Sequence, residues 1–206
     1  MTGKTIVVGI TGASGAAYAR KLLELLENDS RVGRVHLVVS EAGQRLVAME
    51  LGLVASDLRQ LPQLLVGSAK KIDLLPNKDI GASIASGTYP VDGMVVIPCT
   101  TGALGAIAAG TSDDLIARAG DVCLKENRRL ILCVRETPLG RIHLENMLRV
   151  QAAGAVIMPA VPAFYFGPKT IDDLVTQFVC RVLEHLGLPQ EGQYRWMGAG
   201  ARKKEE

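Results

Sequence analysis

Short runs rich in Val and Ile alternate along this chain with longer segments of helical period. Such alternation is typical of a parallel β-sheet covered on both faces, because parallel strands need helical crossovers and are buried on two sides. The predicted strands are residues 5–10, 34–39, 94–97, 130–134 and 155–158. The predicted helices are residues 15–27, 41–50, 102–109, 113–125, 143–151 and 171–186. Residues 53–86 have weaker periodicity and predict a short helix, a minor strand and an excursion over the surface.

Length and composition fit one globular domain. Of the 206 residues, 48% are apolar and 21% are charged, which excludes a disordered or fibrous chain. Single cores grow to about 250–300 residues, so one core is sufficient. We predict a three-layer α/β fold of the Rossmann-like (flavodoxin-like) kind, with residues 1–206 as one domain. The segment from about residue 187 is rich in glycine and ends in charges, and we expect it to be mobile.

Charge and hydropathy argue against two classes of partner. The formal net charge is +2, and basic residues are scattered except in the short run Arg202-Lys203-Lys204. Nucleic acid is therefore not expected, because binding it requires a concentrated basic face. The apolar run at residues 5–10 is too short to cross a membrane and has no signal-type cleavage site, so no membrane partner is expected.

Cysteine and histidine positions indicate core thiols and no metal site. The four cysteines lie in apolar stretches without a C-x-x-C pair, which predicts reduced thiols in a cytoplasmic protein. Cys99 could in principle be a nucleophile, but no histidine stands at a suggestive spacing. The histidines form no ligand cluster, so no metal is predicted. These residues are Cys99, Cys123, Cys133, Cys180, His36, His143 and His185.

A glycine loop with the spacing G-x-x-G-x-x-G, residues 9–15, joins the first predicted strand to the first helix. Backbone N–H groups and a helix N-terminus at this position can hold a phosphate. The spacing differs from the dinucleotide fingerprint G-x-G-x-x-G, and the glycines could simply permit a tight turn. Ser14 could cap the helix, or it could hydrogen-bond a ring nitrogen of a bound cofactor.

A second polar loop follows the strand at residues 94–97. It contains Thr100, Thr101 and Gly102 and again joins a strand end to a helix start. Alone, such a loop is more often a helix cap. Two such loops at the carboxyl ends of neighbouring parallel strands predict a ligand crevice.

Several further blocks occur in order along the chain, and together they are more discriminating than the glycine loop. With residues 9–15 they comprise residues 98–101, 118–119, 124–126, the Arg-Glu-Thr-Pro-Leu run at 135–139, the His-Leu-Glu-Asn-Met run at 143–147, and residues 162–165. The combination closely resembles the UbiX flavin prenyltransferase family, from residue 5 to about residue 196.

The resemblance implies a reaction and a set of site residues. It implies that reduced FMN is alkylated by dimethylallyl phosphate without a metal ion, and that the prenylated flavin passes to a UbiD-type decarboxylase. It also implies a flavoprotein homo-oligomer, typically a dodecamer, with sites at subunit contacts. The implied FMN contacts are Gly12, Ala13, Ser14, Ser40, Thr100, Thr101, Gly102, Ala103 and Arg118. The implied prenyl-phosphate contacts are Lys125, Arg135, Glu136, Tyr165 and Arg181, while Glu50 and Trp196 fall at positions that line the active site.

Prenyl transfer requires positive groups and a proton donor, and the implied site residues are of these types. A departing phosphate dianion needs positive groups, which suits Arg135, Arg181 and Lys125, although each alone could be a solvated surface charge. Glu136 beside Arg135 would repel the phosphate unless a proton is shared, so we hypothesise that Glu136 donates a proton to the leaving group.

The developing allylic cation favours aromatic faces, which suits two aromatic side chains in a chain that has few. Tyr165 alone could equally be a core residue. Trp196 lies in a glycine-flanked, charged segment where burial in the core is hard to place, so docking on substrate or on a neighbouring subunit is favoured. Ser14, near the flavin N5, could relay the proton that N5 loses.

The sequence departs from the family pattern at three places: Thr100 where the family often has Ser, Gly120 where it usually has Ala, and Asn127 where it commonly has Arg. Thr100 keeps the hydroxyl, and Asn127 removes one charge without touching Lys125. Alternatives are an FMN-dependent decarboxylase, a non-catalytic flavin-binding subunit and a nicotinamide-dependent reductase. The sequence does not distinguish dimethylallyl monophosphate from the diphosphate as donor.

Overall fold

A parallel β-sheet forms the centre of the computed structural model, which describes residues 3–53 and 60–198. The sheet of the described residues has six strands in the order β3-β2-β1-β4-β5-β6, which is the strand order of the doubly wound Rossmann fold. The strands are β1 Lys4–Ile10, β2 Val32–Val39, β3 Ile72–Pro76, β4 Gly93–Cys99, β5 Arg129–Val134 and β6 Val156–Ile157.

Helices cover both faces of the sheet, so the predicted three-layer α/β fold is confirmed. They are α1 Ala16–Asn28, α2 Glu41–Leu51, α3 Leu61–Val66, α4 Thr101–Ala109, α5 Leu115–Lys125, α6 Arg141–Ala152 and α7 Ile171–His185. Alternate residues of a strand point to opposite faces. Ile6 and Val8 accordingly pack in the core under α1 and α7, and Val7 packs in the core under α4 and α5.

The predicted elements are all present, with modest shifts at their ends. The stretch 53–86 contains α3, β3 and a 3₁₀ turn at Ser83–Ala85, as predicted; residues 54–59 lie outside the described range. Helix α5 begins two residues later than predicted, because the Asp114 carboxylate accepts a hydrogen bond from the nitrogen of Ala117 and caps the helix. Strand β6 is shorter than predicted at both ends.

The segment after α7 folds back along that helix. Leu188 is fully buried, and the Gln177 side chain donates a hydrogen bond to the carbonyl of Tyr194 at 3.1 Å. Residues 199–206, which include the basic run Arg202-Lys203-Lys204, lie outside the described range, and the expected mobility of the tail stays a prediction. Across residues 3–53 and 60–198, the structure contains no helix that is both long and apolar enough to traverse a bilayer.

The topology determines where a ligand can bind. Strands β1 and β4 lie side by side at the centre, and their connections leave in opposite directions. Open α/β sheets bind ligands in the crevice beyond the carboxyl ends of such a pair of strands. Both polar loops identified in the sequence emerge at that edge.

Candidate active site

Thr11 ties the two polar loops together. Its side chain is buried, its hydroxyl donates to the carbonyl of Pro98 at 2.8 Å, and the hydroxyl oxygen accepts from the nitrogen of Thr100 at 2.8 Å. The nitrogen of Thr11 also donates to the carbonyl of Pro98 at 3.2 Å. The loop after β1 and the loop after β4 are therefore held in one fixed relationship.

A cavity of about 220 Å³ lies at this switch point. Five of the predicted FMN contacts line it, namely Gly12, Ser40, Thr100, Gly102 and Ala103. The other lining residues are Thr11, Ala42, Ala106, Asp114 and Ala117. The helices α2, α4 and α5 all begin at the cavity, so the positive ends of their dipoles face the same cavity. This environment favours an anionic group such as a phosphate.

Two of the predicted hydroxyls cap helices that border the cavity. Ser40 accepts from the nitrogen of Gly43 at 3.1 Å, and Thr100 accepts from the nitrogen of Ala103 at 3.1 Å. Capping thus describes both residues correctly, while their side chains also line the cavity. Gly12 lies so close to α2 that a Cβ on it would stand 2.5 Å from the Cβ of Ala42. The glycine is needed for this close approach.

Glu50 at the end of α2 reaches back to the glycine loop. Its carboxylate accepts from the nitrogen of Ala16 at 2.7 Å and from the nitrogen of Gly15 at 3.0 Å, and the Ser14 side chain lies close enough to lower its pKa. Helix α1 has no side-chain cap of its own, so Glu50 supplies it. The expectation that Ser14 could cap α1 is wrong, because its hydroxyl points to Glu50 instead.

The environment of Glu50 keeps its carboxyl ionised. Desolvation is the largest single influence and raises the pKa. Hydrogen bonds from Ser14 and the two backbone nitrogens act in the opposite direction, as does the positive charge of Arg135. The net pKa lies below its ordinary value. Three of the predicted catalytic residues are thereby linked electrostatically, since the Ser14 side chain and the charge of Arg135 both lower the pKa of Glu50.

The remaining predicted residues of the β5 loop and of α5 are placed differently. Glu136 is exposed, and its carboxylate accepts from the nitrogen of Thr137 at 3.0 Å. Lys125 lies at the carboxyl end of α5 and forms an ion pair with Glu126. Because α5 runs antiparallel to the strands, Lys125 lies at the sheet edge where β5 begins, opposite the edge that carries Ser14 and Glu50. Within one chain, Lys125 does not join them.

Arg118 lies near the start of α5, next to the cavity-lining Ala117. Its guanidinium donates to the carbonyl of Ala85 at 3.1 Å and to the carboxylate of Asp121 at 2.9 Å. The predicted contacts Ala13, Ser14, Thr101 and Arg118 are not part of the cavity wall. Ala13 is buried and Thr101 is half-buried in the first turn of α4.

Tyr165 and Trp196 contact each other, and Arg181 on α7 shares the Glu184 carboxylate with Arg195, the residue before Trp196. The rings of Tyr165 and Trp196 meet edge to face at 5.9 Å, and the side chain of Arg181 donates to Glu184 at 2.7 Å. Trp196 is 60% exposed, in agreement with its predicted position outside the core. Nearby, a cavity of about 430 Å³ separates α7 from residues 166–169 and 191–194.

Cys180 lines the cavity beside α7, and the other cysteines and the histidines take no part in the sites described above. All four cysteines are free and buried, as predicted, and burial raises the pKa of Cys99 and Cys123 to about 12. His36 is buried beside Tyr89, with its Nε2 2.8 Å from the tyrosine hydroxyl. The described part of the chain holds no group of three or more residues able to ligate a metal ion.

Sequence reasoning missed two polar residues of the crevice. Thr11 was treated only as part of the glycine loop, and its buried double hydrogen bond depends on a partner 87 positions away. Asp114 lines the cavity, and its carboxylate accepts from the side chain of Asn77 at 3.2 Å. The acids Asp113 and Asp114 at the start of the predicted helix 113–125 were the available signal, since Asp is a preferred N-cap.

Comparison with known proteins gives consistent matches. A family model described as Flavoprotein matches residues 1–183. The flavin prenyltransferase UbiX of Salmonella typhimurium is 43% identical over 198 residues, which cover 95% of this chain and 100% of that protein.

Two solved structures are similar over nearly their whole length. AnUbiX (PadA1) in complex with FMN and dimethylallyl pyrophosphate has a TM-score of 0.85 and 41% identity, covering 95% of this chain and 98% of that one. A dodecameric FMN-dependent UbiX-like decarboxylase from Escherichia coli O157:H7 has a TM-score of 0.84 and 40% identity, covering 94% and 100%.

Proposed function

The chain belongs to the Flavoprotein family and, within it, to the UbiX flavin prenyltransferases, and from this premise we propose its reaction in full. It transfers a dimethylallyl group from dimethylallyl phosphate to N5 and C6 of reduced FMN. The prenylated FMN then serves a UbiD-type decarboxylase. The observation that carries the proposal is the binding of the Glu50 carboxylate to the backbone of the glycine loop, at the same sheet edge as the cavity between β1 and β4.

FMN is the acceptor substrate, and the cavity fits its chemistry. A flavin phosphate is an anion, and three helix N-termini border the cavity. Gly12 and Gly102 line the wall without side chains, which lets a flat ring system approach the backbone. Arg118, beside the cavity, supplies a guanidinium for phosphate or ring oxygens.

Ser14 and Glu50 provide a route for the proton that N5 loses. When N5 bonds to the allylic carbon, the N5 proton moves to the Ser14 hydroxyl, and the hydroxyl proton moves to Glu50. An ionised acceptor is required at the end of this path, and the lowered pKa of Glu50 supplies one. Hydrogen bonds from the glycine loop, helped by the charge of Arg135, keep Glu50 in that state, and the Arg135 guanidinium offers N–H groups to the substrate phosphate.

The leaving phosphate departs with the electron pair of its C–O bond, and Glu136 protonates it. Replacing Glu136 with Gln is expected to slow prenyl transfer at least about 100-fold while the Kd for FMN stays within a factor of about two. Glu24→Gln, which removes an exposed carboxylate of α1, is the matched control. Equal losses in transfer rate and FMN affinity would contradict the role of Glu136.

The positive groups for the phosphate lie in three places, which supports a site shared between copies. Arg135 follows β5 at the carboxyl end of the sheet, Arg181 is on α7, and Lys125 lies at the opposite edge of the sheet. A homo-oligomer brings a Lys125 from one copy toward the crevice of another. The similar E. coli protein is dodecameric, and we propose the same assembly for this chain.

Helix α6 offers an apolar surface for that assembly. Ile142 and Leu148 are exposed by 71% and 68%, Leu144 is also exposed, and Val150 is the one fully buried side chain of the helix. Exposed apolar patches of this kind mark protein interfaces. Contacts between copies would remove this surface from water.

The decisive experiment identifies the flavin product. Purified protein, reduced FMN and dimethylallyl phosphate are incubated without oxygen, and the flavin is analysed by mass spectrometry; one added isoprene unit is expected. Parallel incubations with the diphosphate identify the preferred donor. Unchanged flavin with both donors would overturn the proposal, and carbon dioxide release from an aromatic acid by this protein alone would favour the decarboxylase alternative.

The proposal includes the enzyme that receives the prenylated FMN and the cellular compartment of this protein. Flavin recovered from the reaction should activate a UbiD-type decarboxylase that was prepared without its cofactor. A cytoplasmic location is supported by four cysteines that are all free and buried, because thiols stay reduced in that compartment.

A further inference from the structure

One carboxylate, that of Glu184, joins α7 to the segment that follows it. Arg181, on the same helix, donates from Nη1 to Oε2 of Glu184 at 2.7 Å. From the segment at residues 193–196, Gln193 donates from Nε2 to Oε2 at 3.4 Å, and Arg195 Nη1 lies 3.7 Å from Oε1. Glu184 thus contacts both the residue expected to bind phosphate and the segment that carries Trp196.

Aromatic contacts alone fix the segment only at one end. Tyr194 packs against Tyr165 at 5.5 Å and against Phe166 at 5.8 Å, and its carbonyl accepts from Gln177. Trp196, two residues further on, meets Tyr165 only edge to face and stays 60% exposed. Between the anchored Tyr194 and Trp196 lies Arg195, whose ionic partner is Glu184.

We infer that Glu184 is a positioning residue for prenyl transfer, which sets the direction of the Arg181 guanidinium and ties down the segment bearing Trp196. This inference rests on the proposed function, since it assumes that Arg181 and Trp196 act on the prenyl phosphate. A guanidinium has five N–H donors in a rigid plane, so the edge held by Glu184 fixes the orientation of the edge left for phosphate oxygens.

The charges in the cluster leave room for an anion. The two guanidinium groups of Arg181 and Arg195 share one carboxylate, so the cluster keeps one net positive charge. Glu184 therefore orders Arg181 without cancelling its attraction for phosphate. It also weakens that attraction, because a carboxylate repels a dianion and occupies part of the guanidinium.

These opposing effects predict a split between kcat and KM. Glu184→Gln removes the negative charge that repels phosphate, so KM for dimethylallyl phosphate should stay the same or fall. The segment with Trp196 loses its ionic contact, so the allylic cation loses an ordered aromatic neighbour and kcat should fall about tenfold, which corresponds to about 1.4 kcal/mol. A residue with a general structural role would not lower kcat and KM together.

Trp196 is the single tryptophan of the chain, so its fluorescence reports the segment directly. In the purified full-length protein without added flavin, Glu184→Gln should increase the acrylamide quenching constant of Trp196 at least about twofold, since an untethered ring is more accessible to the quencher. Glu184→Asp keeps the charge and should restore most of the wild-type quenching and kcat. Asp172→Asn, which breaks the ion pair of α7 with Lys21, is the matched control and should leave both unchanged.

A second variant covers the case in which Glu184→Gln fails to fold. Arg195→Gln removes the ionic contact to the segment and leaves the Arg181–Glu184 pair and the longer Gln193 contact intact. Quenching should rise and kcat should fall, and KM should rise because the cluster loses its net positive charge. Unchanged quenching in a folded Glu184→Gln protein, or a raised KM with unchanged kcat, would overturn the inference. If the wild-type protein forms no prenylated flavin, the proposed function fails, whereas the quenching comparison still decides whether Glu184 holds the segment.

Discussion

The hydroxyl of Thr11 accepts a hydrogen bond from the backbone nitrogen of Thr100 at 2.8 Å, across the gap between the two central strands. The same hydroxyl donates to the carbonyl of Pro98. One buried side chain therefore sets the spacing of the loops on both sides of the cavity.

Thr11→Val is expected to destabilise the fold by about 2 kcal/mol, because the isosteric side chain leaves the Thr100 nitrogen without its partner and the Pro98 carbonyl with only the backbone nitrogen of residue 11. The Kd for FMN should rise about tenfold as the loops lose their spacing. Urea denaturation and flavin fluorescence titration measure the two effects. Thr11→Ser keeps the hydroxyl and should cost less than half as much; equal losses in both variants would contradict the hydrogen-bond argument.

Gly12→Ala is expected to destabilise the protein by about 2 kcal/mol, because the new Cβ would stand 2.5 Å from the Cβ of Ala42. The double variant Gly12→Ala with Ala42→Gly removes that contact and should recover most of the loss. Thermal melts of the two single variants and the double variant complete a double-mutant cycle. Simple additivity in this cycle would show that the two positions do not clash.

Glu50→Gln is expected to reduce prenyl transfer at least about 100-fold, because the end of the proton path loses its acceptor. The free energy of unfolding should fall by about 1 kcal/mol, since one acceptor for the N-terminus of α1 is lost. Single-turnover rates and urea denaturation measure these changes. Glu41→Gln, on the same helix in an exposed pair with Arg45, should change neither value.

Asp29→Asn is expected to lower the free energy of unfolding by about 2 kcal/mol at neutral pH. The hydrogen bond from Arg31 is the main reason that the pKa of Asp29 falls from 3.8 to about 2, and each pKa unit corresponds to about 1.4 kcal/mol. Since the folded-state pKa is the lower one, this stabilisation is present above a pH of about 4 and is lost as the pH falls toward about 2. Urea titrations over that range should show the gap between the two proteins closing; a constant gap would contradict the linkage.

The strands and the helices between them were predictable because each depends on local pattern. The Val- and Ile-rich runs became β1, β2, β4, β5 and β6 with shifts of a few residues, and the two polar loops met at one edge because parallel strands end together. The order of the strands did not follow from pattern, since nothing local determines which strands become neighbours.

The site was predictable in its residue types and less so in its contacts. Glu50 joins the glycine loop from 35 positions away, and Thr11 joins Pro98 from 87 positions away, so neither contact leaves a local signature. Gly120 shows a similar limit. The sequence marked Gly120 only as a departure from the Ala that is usual in the family, whereas the structure shows that a Cβ there would lie 3.0 Å from Cδ1 of Ile107, so the glycine lets α4 and α5 pack closely.

The direction of α5 predicts how inactive Lys125 and Glu50 variants behave when they are mixed in one oligomer. Arg118 and Lys125 are about 10 Å apart along one helix, and the helix delivers them to opposite edges of the sheet. If each copy contributes its Lys125 to the site of a neighbour, as proposed, a copy lacking Lys125 still has an intact crevice with Glu50. A copy lacking Glu50 still contributes a functional Lys125 to its neighbour. Mixed assemblies of two inactive variants should then recover part of the turnover, because some sites combine the intact half of each.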